Sequence, residues 1–258
     1  PPIVLITGAS RGIGKEFADI YAQDGATLVL VARSASDLRT IKKDLETKYN
    51  VKIVALAMDL AKQDAAKALH GKLTKVKVDV LINNAGIGFF GETVEQKLED
   101  AQRLMQLNIA ALTELSLLFG KDFKQRREGA ILNVASIVGL VPIPYLAVYA
   151  ASKAYVLSFS GALAKELEDY GVQVSCVCPG TTRTDFFRAA GRPDMDDPKG
   201  MSARDVAVAG KAGLEAGETT VILSKEGKRW AFWSRFVSRD TILKHGKKVM
   251  KSWLGEKR

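Results

Sequence analysis

The stretch Ile3-Val4-Leu5-Ile6-Thr7-Gly8-Ala9-Ser10-Arg11-Gly12-Ile13-Gly14 decides the fold of this 258-residue chain. A short apolar run leads directly into three glycines, and a segment with helical periodicity follows. Glycines at that place let the backbone turn sharply and approach a pyrophosphate, whose charge the next helix N-terminus stabilises. The spacing differs from the G-x-G-x-x-G dinucleotide fingerprint, so a tight strand–helix turn without a ligand is the alternative.

Around this stretch, residues 3–224 alternate short apolar runs with longer periodic segments. This pattern predicts a parallel sheet covered by helices on both faces. Helices are predicted to begin near Gly12, Ala35, Ala61, Val94, Tyr145 and Ser202. The predicted strands are Ile3–Thr7, Thr27–Ala32, Lys52–Met58, Val78–Ile82, Ala130–Val134, Val172–Val177 and Thr219–Leu223. We therefore expect one doubly wound (Rossmann) α/β domain over residues 1–224, with a mostly parallel seven-stranded sheet.

Composition excludes several other classes of protein. With 47% hydrophobic and 26% charged residues, the chain can fill a core and is not disordered. Two cysteines cannot form a disulfide scaffold, and no His/Cys cluster has the spacing of a metal site. The chain begins with Pro1-Pro2 and passes straight into a strand, unlike a signal peptide, with a removed upstream segment as the alternative. We expect a cytoplasmic protein, with membrane attachment through its tail as an alternative.

The last part of the chain, residues 225–258, differs from the rest in charge. It carries eleven Lys or Arg against three Asp or Glu, so +8 of the net +9 lies there, together with all three tryptophans. Its apolar spacing predicts a separate helical extension of one or two amphipathic helices, broken near Gly246. Such a tail fits packing on the body or on a second subunit, and basic residues beside Trp also fit a membrane surface. Contact with nucleic acid is disfavoured.

The end of the second predicted strand favours one form of nicotinamide cofactor. NAD-binding folds place an acidic residue there to bind the ribose 2′-hydroxyl. Here the strand ends in Arg33-Ser34, and no acid occurs before Asp37. A guanidinium binds a 2′-phosphate through paired hydrogen bonds, and Arg11 in the glycine turn is within reach of the same group. The sequence favours NADP(H) over NAD(H), although Arg33 also fits a solvated loop charge.

Tyr149 and Lys153 lie four residues apart in a helical segment, so they share one helix face. A phenol with a pKa of about 10 is a poor acid–base group at neutral pH, but a nearby ammonium lowers that pKa. Such a pair can exchange a proton with an alcohol oxygen. Ser136 follows a buried strand, in the crevice where open sheets bind ligands, and its hydroxyl can hold a carbonyl oxygen.

Together these residues resemble the short-chain dehydrogenases/reductases in their compact single-domain form. The resemblance rests on the glycine turn, Asn83-Asn84-Ala85-Gly86, Asn108, Ser136, Tyr149, Lys153, Pro179-Gly180 and Thr184. It implies that Tyr149 is the general acid in reduction and the base in oxidation, and that Ser136 orients and polarises the carbonyl. It also implies that Lys153 lowers the tyrosine pKa and binds the nicotinamide ribose. Asn108 would anchor a water that relays protons to Lys153.

The resemblance also implies the cofactor contacts. Asp59 would meet the adenine amino group with Leu60 beside it, and Thr184 would hydrogen-bond the carboxamide. The remaining contacts would be Gly8, Ser10, Arg11, Gly12, Ile13, Gly14, Arg33, Ser34, Asn84, Ala85, Gly86, Tyr149, Lys153, Pro179, Gly180 and Thr182. Family members commonly pair through the helices that hold Asn108 and Tyr149, so a homodimer or homotetramer is expected.

The sequence therefore predicts an NADPH-dependent carbonyl reductase that also runs as an alcohol dehydrogenase. Its predicted pocket walls are almost all apolar, which favours a hydrophobic ketone, aldehyde or alcohol: Ile87, Phe89, Phe90, Ile137, Val138, Leu140, Pro142, Pro144, Tyr145, Phe186 and Phe187. The irregular stretch Thr181–Gly200 is predicted to be a lid. The alternatives are a non-catalytic dinucleotide-sensing or scaffold protein and an epimerase or dehydratase acting on nucleotide sugars.

Overall fold

A seven-stranded parallel sheet forms the centre of the computed structural model, which describes residues 1–195 and 197–255. The strands of this part of the chain are β1 (Ile3–Thr7), β2 (Thr27–Ala32), β3 (Ile53–Ala57), β4 (Val80–Asn83), β5 (Gly129–Val134), β6 (Val172–Cys178), β7 (Thr182–Arg183), β8 (Met201–Ser202) and β9 (Thr220–Ile222). The sheet order is β3-β2-β1-β4-β5-β6-β9, and every pairing is parallel. The predicted fold class is confirmed.

Ten α-helices lie within the described ranges: α1 (Gly12–Gln23), α2 (Ala35–Tyr49), α3 (Ala65–Lys72), α4 (Leu98–Met105), α5 (Leu112–Arg126), α6 (Ala147–Leu167), α7 (Phe186–Ala189), α8 (Ala203–Glu215), α9 (Lys225–Trp233) and α10 (Arg239–Trp253). A π-helical turn, Gln106–Ala111, joins α4 to α5. Serines cap several of these helices; Ser202, for example, accepts a hydrogen bond from the backbone N–H of Asp205 at 3.0 Å.

The helix predicted near Val94 begins at Leu98, because Thr93–Glu95 forms a separate 3-10 turn. Two further helices also begin later than the sequence pattern predicts. After β3 the chain first makes a turn in which the Asp59 carboxylate accepts a hydrogen bond from the Ala61 N–H, so α3 begins at Ala65 rather than near Ala61. The helix predicted near Tyr145 begins at Ala147, because Tyr145 has a φ of 65° and cannot continue a right-handed helix. The polar turn and the left-handed residue explain both differences.

The core has two layers because successive side chains of a strand point to opposite faces of the sheet. Val4 and Ile6 of β1 face one layer, where Phe17 of α1 is fully buried. Leu5 faces the other layer and packs with Phe123 of α5. Burying a side chain of this size contributes about 1.5–3 kcal/mol, so the two apolar layers fix the sheet between the helices.

The tail packs on the body of the chain. Met250 of α10 is 6% exposed and belongs to one apolar cluster with Phe90 and Tyr149. The predicted break near Gly246 is wrong, because α10 continues through that residue and the chain turns between Trp233 and Arg239 instead. A Cβ on Gly246 would lie 3.3 Å from Pro144, so glycine lets the helix approach this loop closely.

The sheet order places β1 beside β4, and the chain crosses from one side of the sheet to the other between them. Open α/β sheets bind ligands at such a switch point, outside the carboxyl ends of the strands. In the described part of the chain, no helix is both long enough and apolar enough to cross a bilayer.

Candidate active site

A cavity of about 1860 Å³ opens at the carboxyl ends of the central strands. Pockets for a single drug-sized ligand occupy about 300–1000 Å³, so this one has room for a dinucleotide and a substrate together. Of the site residues predicted from the sequence, Gly14 and Asn108 lie behind its wall and all the others line it. The structure therefore brings the predicted cofactor and catalytic residues to one cavity.

The turn after β1 can form because its glycines carry no Cβ atom. Gly8 and Gly12 have φ values of 65° and 53°, which side-chain-bearing residues rarely adopt. A Cβ on Gly14 would lie 2.3 Å from the carbonyl oxygen of Gly8, so the first turn of α1 could not rest on the loop. The N–H groups of that first helical turn have no acceptor within their own helix, which makes this end of α1 suitable for an anion.

Asn84 holds the glycine turn to the neighbouring strand. Its side-chain amide donates to the carbonyl oxygens of Thr7 at 2.9 Å and Gly8 at 3.2 Å. Its backbone N–H donates to the Thr7 hydroxyl at 3.0 Å. Asn83 lies beneath it in a buried network with Ser116 and Asn133. Both asparagines therefore hold strand ends, and Asn84 also borders the cavity.

The end of β2 forms the side of the cavity predicted to bind a 2′-phosphate. Arg33 is exposed and lines the cavity together with Ser34 and Arg11. Ser34 caps α2, and its hydroxyl accepts a hydrogen bond from the Asp37 N–H at 3.2 Å. Asp37 also lines the cavity, so one carboxylate lies in the same region as the two arginines.

Asp59, predicted to meet adenine, forms an ion pair that the sequence did not indicate. Its two carboxylate oxygens accept hydrogen bonds from Arg103 of α4 at 2.8 and 3.0 Å. Burial by itself would raise the pKa of Asp59, but the hydrogen bonds from Arg103 and Ala61 and the charge of Arg33 hold it below its usual value. Arg103 lies far along the chain, on a different element, and no local pattern pairs it with Asp59.

Tyr149, Lys153 and Ser136 come together at the centre of the cavity. Tyr149 and Lys153 are buried on α6, at 8% and 5% exposure, and the Lys153 amine lies 5.8 Å from the centre of the phenol ring. The amine donates a hydrogen bond to the Val134 carbonyl oxygen at 2.8 Å, at the end of β5. Ser136 begins the turn that follows β5, and the Val138 N–H donates to its hydroxyl at 3.4 Å.

The pKa of Tyr149 differs from the sequence-based expectation. Burial raises the pKa of Tyr149 above its usual value, and the nearby Ser136 hydroxyl lowers it only in part. Burial also lowers the pKa of Lys153 to about 8, so this amine is mostly charged at pH 7 and loses its charge at a lower pH than an exposed lysine does. In this arrangement burial outweighs the neighbouring groups at the phenol, and the expectation that Lys153 lowers the tyrosine pKa stays a prediction.

Asn108 sits in the π-helical turn behind the cavity wall. Its side-chain oxygen accepts from the Ile87 N–H at 3.0 Å, and its amide donates to the Ile87 carbonyl at 2.9 Å and to Ser152 at 3.1 Å. A Cβ on Gly86 would lie 3.3 Å from the Asn108 side-chain oxygen and 3.5 Å from the Lys153 amine. A glycine at this position therefore lets the amide and the amine approach the same point of the loop.

Gly139 is a structural requirement that the sequence motifs did not reveal. A Cβ there would lie 2.6 Å from the backbone carbonyl carbon of Lys153. Real Cβ atoms do not approach backbone so closely, so a side chain would push the turn away from α6. Because that turn begins at Ser136, Gly139 sets the distance between Ser136 and the Tyr149–Lys153 pair.

Bulky apolar side chains form the other part of the cavity. The Tyr149 ring lies 5.5 Å from that of Phe186 and 6.2 Å from that of Phe90. Of the predicted wall residues, Leu140, Pro144 and Tyr145 do not line the cavity and the others do. The sequence missed the contribution of the tail, which lines the cavity with Trp230, Trp233, Val237, Ile242, Val249, Met250 and Trp253. The helical spacing of these residues indicated an amphipathic face but not the surface it covers.

The predicted lid, Thr181–Gly200, is folded upon itself. Its ends are joined by the pairing of β7 with β8, and the Arg183 side chain donates to the Gly200 carbonyl at 2.6 Å. Arg192 forms an ion pair with Asp194 at 2.6 Å. Thr184 packs close to Gly12, where a Cβ would approach its methyl group to 3.1 Å. The start of this segment, at Thr184, therefore lies against the glycine turn.

Comparison with known proteins identifies the family of this chain. Residues 2–194 match the family model described as short chain dehydrogenase, and the chain belongs to that family. Its members with solved structures include a short-chain dehydrogenase from Sphingobium yanoikuyae in complex with NADPH, 34% identical, with a TM-score of 0.83 over 92% of this chain and 97% of that one. The chain is accordingly a member of an oxidoreductase family.

Further relatives carry more specific names. The very-long-chain 3-oxoacyl-CoA reductase of Pyrenophora tritici-repentis is 41% identical over 182 residues, which cover 67% of this chain and 52% of that protein. The chain thus spans about half the length of such fungal relatives. A bulky-bulky ketone specific alcohol dehydrogenase from Comamonas testosteroni is 32% identical, with a TM-score of 0.81 and 91% of both chains covered.

Proposed function

We propose that this protein is an NADPH-dependent oxidoreductase that interconverts a bulky hydrophobic ketone or aldehyde and its alcohol, with Tyr149 as the acid and base. The observation that carries the proposal is the meeting of Tyr149, Lys153 and Ser136 in the cavity that the glycine turn also lines. A phosphate-binding turn and a proton donor in one cavity are the two parts that hydride transfer to a carbonyl requires.

The residues present fit a nicotinamide dinucleotide. Gly8 and Gly12 line the cavity at the N-terminus of α1, and a Cβ on either would press against Asn84 or Thr184 and disturb the turn that would hold a pyrophosphate. Arg33 and Arg11 would bind the 2′-phosphate, and Lys153 would bind the nicotinamide ribose. When bound, NADPH supplies the hydride that reduces the carbonyl carbon.

During reduction, the chain's own residues hold the carbonyl and supply the proton. Ser136 donates a hydrogen bond to the carbonyl oxygen and holds the negative charge that develops there. Tyr149 gives its phenolic proton to the same oxygen, and the phenol holds that proton at neutral pH because its pKa lies well above 7. Phe90 and Phe186 cover the phenol ring and exclude water from the reacting oxygen.

The class of substrate follows from the second half of the cavity. Rings of Phe90, Phe186 and Phe187 and side chains of α9 and α10 surround Tyr149, so a bulky apolar substituent would find partners on several sides. The names of the relatives support the same class, because they refer to very-long-chain 3-oxoacyl-CoA and to bulky-bulky ketones. We therefore propose a carbonyl with a long or bulky apolar group rather than a sugar phosphate.

We also propose a homodimer or homotetramer that pairs through the helices around Asn108 and Tyr149. Four large apolar side chains are exposed on these helices: Leu98, Met105, Leu117 and Tyr155. Exposed apolar side chains on neighbouring helices favour association. A cytoplasmic location remains a prediction, supported by the two free, buried cysteines.

The experiment that tests the reaction combines a carbonyl panel with one variant. We expect NADPH absorbance to fall with bulky hydrophobic ketones, and Tyr149→Phe to reduce the rate by about 10²–10⁴-fold because the proton donor is lost. The affinity for NADPH, measured by fluorescence, should change little. A Tyr149→Phe protein that still turns over at the wild-type rate would refute the role of the phenol.

A further inference from the structure

The C-terminal tail carries exposed aromatic rings that the proposed reaction does not use. Phe232 and Trp233 end α9, and Phe236 lies in the turn that follows; they are 55%, 57% and 69% exposed. Their ring centres lie 5.3 Å apart for Phe232–Trp233, 5.3 Å for Phe232–Phe236 and 6.5 Å for Trp233–Phe236. We call these three residues the aromatic patch. Three large exposed rings in contact indicate a surface that a partner covers.

The charge around the aromatic patch indicates the chemistry of that partner. Arg235 lies within the patch and is exposed, and Arg229 and Arg239 are exposed on either side of it in the sequence. Residues 225–258 carry +8 of the chain's net charge of +9, while the body is nearly neutral. The partner is therefore expected to be anionic and to accept apolar rings.

The aromatic patch also adjoins the cavity. Trp233 belongs to both, and Val237, one residue after Phe236, lines the cavity as well. A partner seated on the patch would thus lie beside the part of the cavity that the tail forms.

We propose that the aromatic patch docks the protein on the surface of an anionic lipid bilayer, with this side of the cavity next to the lipid. Aromatic rings enter the boundary between headgroups and acyl chains, and the surrounding Lys and Arg bind anionic headgroups. A second copy of the chain fits less well, because symmetric pairing through the tails would bring two strongly positive segments together. The docking does not depend on the proposed reaction.

The test is sedimentation of the full chain with lipid vesicles. The protein should bind vesicles of phosphatidylserine and phosphatidylcholine, should bind phosphatidylcholine alone much more weakly, and should be released by high salt. The double variant Phe232→Ser/Phe236→Ser should weaken binding by about tenfold or more, because two side chains no longer enter the lipid. Neither residue lines the cavity. The matched control Val54→Ser/Val208→Ser removes two exposed apolar side chains of β3 and α8 and should bind as the wild type does.

The electrostatic part is tested separately. Arg235→Glu changes the local charge by two units and should weaken binding to the anionic vesicles by about 30-fold, at about 1 kcal/mol for each charge. Lys43→Glu, on the exposed face of α2, should have little effect.

Three results would overturn the proposal. The first is equal vesicle binding by the Phe232→Ser/Phe236→Ser protein and the wild type. The second is equal binding to both vesicle types with no dependence on salt. The third is dissociation of a dimer or tetramer by the same double variant in the absence of lipid, which would assign the patch to a second copy. Turnover of a water-dissolved ketone, measured in parallel, keeps the two proposals apart, because loss of docking should leave it unchanged.

Discussion

The two halves of the cavity are built from different parts of the chain and in different ways. The cofactor half consists of backbone and short side chains at the ends of neighbouring strands, such as Gly8, Asn84 and Ser34. The substrate half consists of bulky side chains from segments far apart in sequence, with Phe90 after β4, Phe187 in α7 and Met250 in α10. The cofactor half therefore depends on close backbone approach, while the substrate half depends on the volume of side chains.

This difference predicts different responses to mutation. In the cofactor half a single added methyl group collides with backbone, which cannot move without disturbing the sheet. In the substrate half a changed side chain leaves or fills space among other side chains, which can partly adjust. Small changes should thus abolish cofactor binding, whereas larger changes should alter stability and substrate preference by degrees.

The largest effect is expected for Gly14→Ala. The added methyl would lie 2.3 Å from the Gly8 carbonyl oxygen and 2.4 Å from the Asn84 amide nitrogen, so the turn and the first turn of α1 must separate. We expect the affinity for NADPH, measured by titration of its fluorescence, to fall by at least about 100-fold, since the loss of several backbone hydrogen bonds to one ligand costs about 3 kcal/mol or more.

Gly71→Ala is the matched control for that variant. A Cβ on Gly71 meets no atom within 4 Å, and the residue lies in α3, where alanine is the better helix former. It should bind NADPH as the wild type does and unfold at a slightly higher temperature. Similar losses of NADPH affinity in both variants would show that the cofactor half does not depend on backbone approach at Gly14.

The second effect tests the substrate half. Met250→Ala removes a buried side chain from the cluster that contains Tyr149, and such truncations cost about 2–5 kcal/mol in free energy of unfolding. The enlarged pocket should raise kcat/KM for the bulkiest ketones of the panel relative to the smallest. Val94→Ala, at an exposed position, should change the free energy of unfolding by less than about 0.5 kcal/mol. A Met250→Ala protein as stable as the wild type would mean that α10 does not pack there in solution.

The contrast between the halves also explains how much the sequence predicted. Strand positions followed from apolar runs such as Val172–Val177, and the positions of Ser136, Tyr149 and Lys153 in the pattern predicted that these residues share one crevice. These are local patterns, and the fold brings them together in a known way. The Asp59–Arg103 pair, the requirement for Gly139 and the raised pKa of Tyr149 depend on packing between distant segments, which no local pattern encodes.

The third prediction concerns the choice of cofactor and tests Arg33, at the exposed edge of the cofactor half. Arg33→Ala should weaken NADPH by about tenfold, because a charge-assisted hydrogen bond to the 2′-phosphate is lost at a solvent-exposed position. NADH, which has no 2′-phosphate, should bind almost unchanged. Arg39→Ala, which removes an exposed arginine of α2 outside the cavity, serves as the control. An equal loss of affinity for both cofactors would show that Arg33 does not select between them.

The smallest expected effect is the change in the free energy of unfolding per pH unit that Lys153 causes. This residue lies where the cofactor and substrate halves meet. Its pKa is about 8 in the folded protein against 10.5 for a lysine in water. Between these values the unfolded chain binds more protons than the folded one, so the free energy of unfolding should rise with pH, by at most about 1.4 kcal/mol per unit. Unfolding by urea at pH 8, 9 and 10 should show this slope in the wild type and less of it in Lys153→Met.

Two comparisons separate the contribution of Lys153 to the pH slope from the contributions of other groups. Cys176 and Cys178 are the thiols whose charge acts on the amine, so both proteins should also be measured with both cysteines replaced by serine. Lys43→Met, which removes an exposed lysine, should keep the wild-type slope. Burial raises the pKa of Tyr149, so near pH 10 the unfolded phenol ionises while the folded one stays protonated. This lowers the slope there in the wild type and in Lys153→Met alike, so the difference between the two proteins reports the lysine. An unchanged slope in Lys153→Met would mean that the amine is hydrated in solution. The claim that the cofactor and substrate halves meet at a site shielded from water would then be wrong.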